Sequence, residues 1–436
     1  MDKEIDLEYI QNYIAMGQIL NKKMTLALDI GEQMVKSGSE VSKVEDSIKK
    51  VLDALGCKNA AVLVITTSII VTINVEAYGT VTETRRLQGV AYDMDRLSKI
   101  NNLIKEICSM KIGIDEAKET YRKILNEKPY SFSYQVFFAM GIAFTFTLFF
   151  GGSIKDALVS MIIAIVIKLM GKKIEVFSEN KFLYLLASSL VGGILAVGAV
   201  SLGIADSVSK ISIGDIMILI PGVALTNSIR DMLSGDTITG QTRFLESSLI
   251  AVMIAFGFVM PSVFFDNLFT NSVAESANNT GRLTIILAII IELIIAFFGT
   301  FSYAGSFNVK KDKIFYAAFG GLIGWGTYIL SGYFVSIEPF KYLFAAIIVN
   351  FYAEKMSEIK KTPTTVFLVS AIMPLVPGSG LYETMASLLS KNWEQFGIEG
   401  VNTLAVALAI AFGTLISNFI VKMMRNIKKK RLIKNN

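Results

Sequence analysis

The stretch LIPGVALTNSIRDMLSGD (residues 219–236) and its later counterpart LVPGSGLYETMASLLSKN (residues 375–392) decide the reading of this chain. Each carries Pro-Gly deep inside an apolar run, at Pro221-Gly222 and at Pro377-Gly378. Proline removes a backbone donor and collides with the carbonyl one turn earlier; glycine lets the chain bend or come close to a ligand. In hydrocarbon the freed backbone groups need partners, so a broken helix survives only against protein or a wet cavity. A helix that restarts at such a break offers its first N–H groups to an anion, and a carboxylate is the natural guest. The plainer alternative is a packing kink.

The two stretches belong to a repeat. Pro377 follows Pro221 by 156 residues, and ALAIAFG at Ala407 follows AVMIAFG at Ala251 by the same 156. FKYLFA at Phe340 follows FLYLLA at Phe182 by 158, a two-residue gap. Three matches in order at nearly one offset point to an internal duplication.

Around these motifs lie ten apolar segments, near residues 132–150, 153–170, 182–203, 212–233, 243–262, 282–303, 313–334, 340–357, 363–389 and 401–424. Stretches of about 18 apolar residues are candidate membrane spans. The expected fold is a polytopic α-helical membrane protein of about ten transmembrane helices. Five spans per half is odd, so the second half enters the membrane in the opposite sense. The result is an inverted 5+5 repeat, an architecture that places a substrate near the midplane.

Composition agrees. Of 436 residues, 53% are hydrophobic and only 18% charged, against about a quarter in soluble domains; mean hydropathy is +0.53. The net charge of +5 is small and spread out, which argues against nucleic acid, and most of the excess sits in the tail Lys422–Lys434. Lys and Arg cluster at 172–181, at Arg243, at 310–313 and at 355–361, whereas the alternate loops hold single lysines such as Lys155, Lys210 and Lys391. The bias predicts both termini in the cytoplasm. The N-terminus MDKEIDLEYI is charged and shows no apolar signal core.

Residues 1–130 differ from the rest. Residues 20–36, with apolar positions Met24, Leu28, Ile30, Met34 and Val35, fit an amphipathic helix. A second helix is expected after Ser37-Gly38-Ser39, with Ser39 as N-cap, a stripe of Val41, Val44, Ile48, Val51, Leu52 and Leu55, and Gly56 at C′. AAVLVITTSIIVTINV (60–75) is β-branched and reads as one or two strands, residues 77–80 as a turn and VTETRRL as a returning strand. Residues 91–108 and 114–127 return to helix. The expected division is a cytoplasmic α+β domain (1–130), two membrane repeats (131–262 and 282–425) and a basic tail (426–436). Arg85 and Arg86 should face opposite sides of a strand. Cys57 and Cys108 form no motif and read as two buried thiols.

No nucleophile–base set or metal-ligand cluster is visible, and histidine is absent, so neither enzyme activity, a metal nor a cofactor is expected. The candidate binding residues are Pro221, Gly222, Thr226, Asn227, Arg230, Asp231, Pro377, Gly378, Tyr382 and Glu383, with Asn227 and Asp231 spaced i,i+4 to share a face. Ionisable groups inside spans are costly and often functional. Glu292, Glu246 and Asp215 are therefore the candidates for proton coupling, Glu292 first, with a hydrogen bond to a neighbouring helix as its structural alternative.

GEQMVKSGSEVSKVEDSIKKVLDALG (31–56), IPGVALTNSIRDMLSGDTITGQTRFLES (220–247) and LVPGSGLYE (375–383) resemble the threonine/serine exporter family over nearly the whole chain. The resemblance implies a bacterial inner-membrane exporter of threonine and serine, driven by protons. Split relatives are associated with dicarboxylates such as succinate, and a passive metabolite channel is a further reading. It also implies that Pro221, Gly222, Arg230, Asp231, Pro377 and Gly378 carry the function. Small polar solute, protons and lipid are the expected partners, and a homo-oligomer is compatible with the large soluble domain.

Overall fold

A computed structural model describes residues 2–75, 79–87, 89, 92–177, 181–233, 235–265 and 282–435. The N-terminal part contains α1 (Asp2–Lys36), α2 (Val41–Ala54), β1 (Ala61–Val64), β2 (Ser68–Val75), β3 (Gly79–Arg86), α3 (Met94–Cys108) and α4 (Ile114–Asn126). The strands form an antiparallel sheet in sequence order, with Ala61 opposite Thr72 and Ile69 opposite Arg85. Period-two alternation sends Ile69, Val71 and Ile73 inward against Met24, Ile30, Ile48 and Val51 of α1 and α2. Such burial removes about 2 kcal/mol worth of apolar surface per large side chain from water.

Several expectations need correction here. The first helix begins at Asp2 and runs 35 residues, not from residue 20. Glu40, not Ser39, holds the N-cap position of α2, and its side chain makes no cap bond because it is engaged elsewhere. Cys57 is buried but Cys108 is exposed. Arg85 lies against α1 and pairs with Asp29 at 2.8 Å, a structural contact, while Arg86 is exposed. The turn expected at 77–80 lies partly outside the described residues; Gly79 and Thr80 already belong to β3. Gly56 does follow the end of α2 with φ +83, as its C′ role requires.

The remainder is a helical bundle. Its first set is α5 (Phe132–Phe149), α6 (Ile154–Phe177), α7 (Lys181–Ser201), α8 (Val208–Leu219), α9 (Gly222–Leu233) and α10 (Thr237–Phe265). The second is α11 (Arg282–Ser306), α12 (Lys311–Ser331), α13 (Glu338–Lys360), α14 (Thr365–Ala371), a 3-10 turn (Met373–Leu375), α15 (Gly378–Leu389) and α16 (Trp393–Asn435). Among the described residues, six helices are by themselves long and apolar enough to cross a membrane. The bent pair α14–α15, turned by 45°, makes a seventh. The other expected spans fall on α6 and α13, which carry several charges near their ends, and on α8 and α9, which are 12 residues each. Length and composition alone therefore do not fix the count at ten.

Packing repeats between the two sets. α5 on α6, α6 on α7, α7 on α10 and α9 on α10 recur as α11 on α12, α12 on α13, α13 on α16 and α15 on α16. The leading helices of the sets, α5 and α11, cross antiparallel. A Cβ on Gly305 would strike Phe138, one on Gly141 would strike Ser302 and one on Gly299 would strike Phe146. The small residues thus let the two backbones approach, as small side chains do between membrane helices.

The N-terminal domain sits at one end of this bundle. Backbone N–H groups of Met94 and Asp95, which the first turn of α3 cannot use internally, donate to the carbonyls of Phe307 and Asn308 at 3.0 and 3.1 Å. Asn308, in the left-handed region at φ 55, donates through Nδ2 to Asp93 at 2.7 Å and accepts from Tyr130 N–H at 3.1 Å. Thr239, at the start of α10, reaches the carbonyl of Val64.

Candidate functional site

Both helix breaks follow from the same local rule. The residue before proline is driven to extended backbone, and Ile220 (ψ 132) and Val376 (ψ 128) are both extended. One helical segment ends before each Pro-Gly and the next begins at Gly222 or Gly378. The tertiary structure then brings the two breaks together. A small apolar cavity is lined by Ile220, Pro221, Leu225 and Ala251 from one set and Val376, Pro377, Leu381 and Ala407 from the other. These are four pairs of residues each separated by 156 positions. Gly222 lies on Val376, where a Cβ would come within 2.4 Å of Cγ1, and Gly378 lies on Met217, whose Sδ a Cβ would meet at 2.4 Å. The N-termini of α9 and α15, the positive ends of their dipoles, start at this shared centre.

One to two turns along α9, toward the N-terminal domain, a second cavity is lined by Asn227, Arg230, Thr365, Leu368, Val369, Ile372, Thr414 and Glu40. Its free space is that of about one water molecule. Arg230, only 5% exposed, donates through Nη2 to Asn227 Oδ1 at 3.0 Å and pairs with Glu40 Oε1 at 3.0 Å. Lys43 Nζ reaches the same Glu40 oxygen at 2.7 Å. Burial pushes the Glu40 carboxyl up, but Arg230 and Lys43 outweigh it and hold the group at about 2. Arg230 Nε is buried and has no hydrogen-bond partner among the described residues. Arg230 can thus present a dry guanidinium edge with an unspent donor to a carboxylate.

The predicted residues divide. Pro221, Gly222, Pro377 and Gly378 meet at the centre, and Asn227 and Arg230 line the chamber beside it. Asp231 does not share that chamber with Asn227; it turns to Arg243 of α10 at 3.0 Å. Tyr382 is buried among Ile213, Ile216, Phe258 and Val259, away from Arg230. Glu383, its neighbour on α15, is exposed and does not line either cavity. The side chain of Thr226 lies outside the described residues. Of the three coupling candidates, Glu246 is exposed. Glu292 is partly buried and accepts from Trp325 Nε1 at 3.1 Å, the interhelical bond that was its alternative. Asp215 is fully buried in α8; Ser160 Oγ donates to one oxygen at 2.7 Å, and the other has no partner among the described residues.

Sequence reasoning missed Glu40, Lys43, Thr365 and Thr414. Glu40 follows Ser37-Gly38-Ser39, and nothing in that local stretch marks it as the partner of Arg230.

The sequence model of a family described as threonine/serine exporters matches residues 25–264, more than half of the chain. The chain belongs to the threonine/serine exporter family. A second model of threonine/serine exporters matches residues 292–420. The gap between the two matches, residues 265–291, spans the junction of the two helical sets and takes in the first ten residues of α11. A protein of Mycobacterium tuberculosis named "Probable threonine/serine exporter" is 21% identical, over 93% of this chain and 77% of that protein. A "Threonine/serine exporter" of Corynebacterium glutamicum is 24% identical, over 92% of this chain and 83% of that protein. No solved structure matches. Membership in this exporter family, together with the long apolar helices, makes the chain a bacterial membrane transporter.

Proposed function

We propose that this exporter moves threonine and serine out of the cell as a proton-coupled secondary transporter of the inner membrane. The observation that carries the reading is the meeting of the two Pro-Gly breaks next to a chamber floored by Asn227 and Arg230. The substrate carboxylate goes to the Arg230 guanidinium, and the hydroxyl that threonine and serine share goes to Asn227 or the threonines of the chamber. The ammonium suits the carbonyl ends left where α8 and the Met373–Leu375 turn stop.

In this reading the chain crosses the membrane ten times as an inverted repeat, with the N-terminal domain and both termini in the cytoplasm. The repeated packing and the antiparallel crossing of α5 and α11 support it. The two halves rock about the cavity of paired residues, and each Pro-Gly break is the hinge of its half. Asp215 replaces Glu292 as the leading proton carrier. It is wholly buried with one oxygen unpartnered among the described residues, whereas Glu292 is only partly buried and accepts from Trp325.

Efflux from proteoliposomes loaded with labelled threonine, serine or succinate tests this reading. Threonine and serine should leave, faster with an imposed pH gradient. Exit of succinate alone would transfer the site to dicarboxylates, and efflux indifferent to the gradient would make the protein a channel.

A further inference from the structure

We infer that Glu40 is a tethered stand-in for the substrate carboxylate: the N-terminal domain closes the transport site by placing its own carboxylate on Arg230, and solute enters by displacing it. The inference rests on the assignment of Arg230 as the carboxylate receptor.

Glu40 is delivered by a built loop. Ser37 and Ser39 are buried, and Gly38 has φ +90 with the Tyr92 ring packed on it, where a Cβ would come within 2.5 Å. The loop therefore places the α2 N-terminus at the chamber as a set piece rather than as a loose arm. Tyr92 is itself fixed on the bundle side by its ring contact with Phe307, 5.3 Å between centroids.

The bond that Glu40 makes is incomplete. One of its oxygens takes Arg230 Nη2, and the same oxygen takes Lys43. Arg230 Nε remains buried, with no hydrogen-bond partner among the described residues. A free carboxylate can lie side-on and accept from Nε and an Nη together, the stronger bidentate arrangement. The tether gives Glu40 a high effective concentration, and the second hydrogen bond gives the free ligand the better contact. These opposing advantages make an exchangeable occupant.

Space makes the two exclusive. With Glu40 in place the chamber has room for about one water, so an amino acid and the Glu40 side chain cannot both sit on Arg230. The displaced carboxylate is not stranded. Lys43, one turn along α2 and about half exposed, already binds it and can follow it outward. Held at about 2, Glu40 also stays ionised at every pH a cell reaches, so protonation does not release it and competition must.

The alternative is an ion pair that only rivets the two domains. Glu40→Gln and Glu40→Ala in the full-length chain separate the two in proteoliposomes. Displacement predicts that half-saturation for threonine efflux falls about ten-fold in both variants, because a receptor occupied most of the time by a competitor loses apparent affinity in that proportion. It also predicts that acetate competes with threonine in the alanine variant and not in the parent. Half-saturation that is unchanged or raised, in variants that fold as judged by their melting temperature, overturns the inference. If a variant does not fold, Glu40→Asp, which keeps the charge but shortens the reach, must give the same fall; an unchanged value overturns the inference. If the unaltered protein moves neither threonine nor serine, it is the functional reading that has failed.

Discussion

At the scale of single residues, Arg230 and Asp215, proposed to receive the substrate carboxylate and to carry the proton, are buried in different ways. Arg230 is balanced by Glu40 and donates to Asn227, so truncating it leaves the buried Glu40 carboxylate with Lys43 as its one cation among the described residues. Arg230→Ala should stop export and lower stability by about 3 kcal/mol, as for other broken buried pairs. The double variant with Glu40→Ala should regain part of that stability and none of the transport; a melting curve and an efflux assay on the three proteins measure both. The pH dependence follows from the sign of the shift. Glu40 is lowered from an ordinary value of 4.5 to about 2, so its stabilisation is complete above 4.5 and is lost as pH falls toward 2. The melting difference between the parent and Glu40→Gln should stay constant from pH 8 to pH 5 and shrink only in stronger acid. Asp215→Asn should abolish the response to a pH gradient, while Glu246→Gln and Glu292→Gln retain it. Arg230 was legible in the sequence as a charge just after a helix break. Its partner was not, because Glu40 lies 190 positions away in another domain.

At the scale of elements, the two breaks are alike in backbone and unlike in neighbours. Gly222 lies against the β-branched Val376, which has few rotamers to yield. Gly378 lies against the sulfur end of Met217, which is flexible. Gly222→Ala should therefore cost more than Gly378→Ala, on the order of 2 kcal/mol against less than about 1. Comparison of melting temperatures and of efflux rates checks the order; equal losses would mean that the contact seen at Gly222 does not persist. The breaks themselves were readable because proline acts on its immediate neighbours. The bend of 45° between α14 and α15, and the placing of Asp231 on Arg243, depend on what each segment packs against. Asn227 and Asp231 do have the i,i+4 spacing of a shared face, but Arg243 on α10 draws Asp231 away from the chamber.

For the whole molecule, the docking of the N-terminal domain is a matter of backbone as much as of side chains. The α3 N-terminus borrows carbonyls from the turn between α11 and α12, and Asn308 joins Asp93 to Tyr130. Asn308→Ala should loosen the domain without unfolding the bundle, seen as faster hydrogen exchange at Met94 and Asp95. Orientation can be read from the cysteines. Cys108 is exposed on the domain and Cys57 is buried. An impermeant maleimide should label Cys108 in inside-out vesicles, spare it in right-side-out ones, and reach Cys57 only after denaturation. Labelling of Cys108 from the outer side would reverse the proposed topology.

The sequence by itself determined the membrane class, the helix breaks and the recurrence of the motifs. Each depends on local composition or on spacing along the chain: apolar runs long enough to leave water, prolines that end helices, motifs that return after 156 residues. Only the tertiary structure decided that the repeat partners line one cavity and that Glu40 sits on Arg230. It also decided that Asp215, rather than Glu292, is the fully buried carboxylate, with one oxygen that has no partner among the described residues. The physical reason is that burial and charge pairing are set by which segments meet in space, and residues far apart in the chain leave no local trace of their meeting.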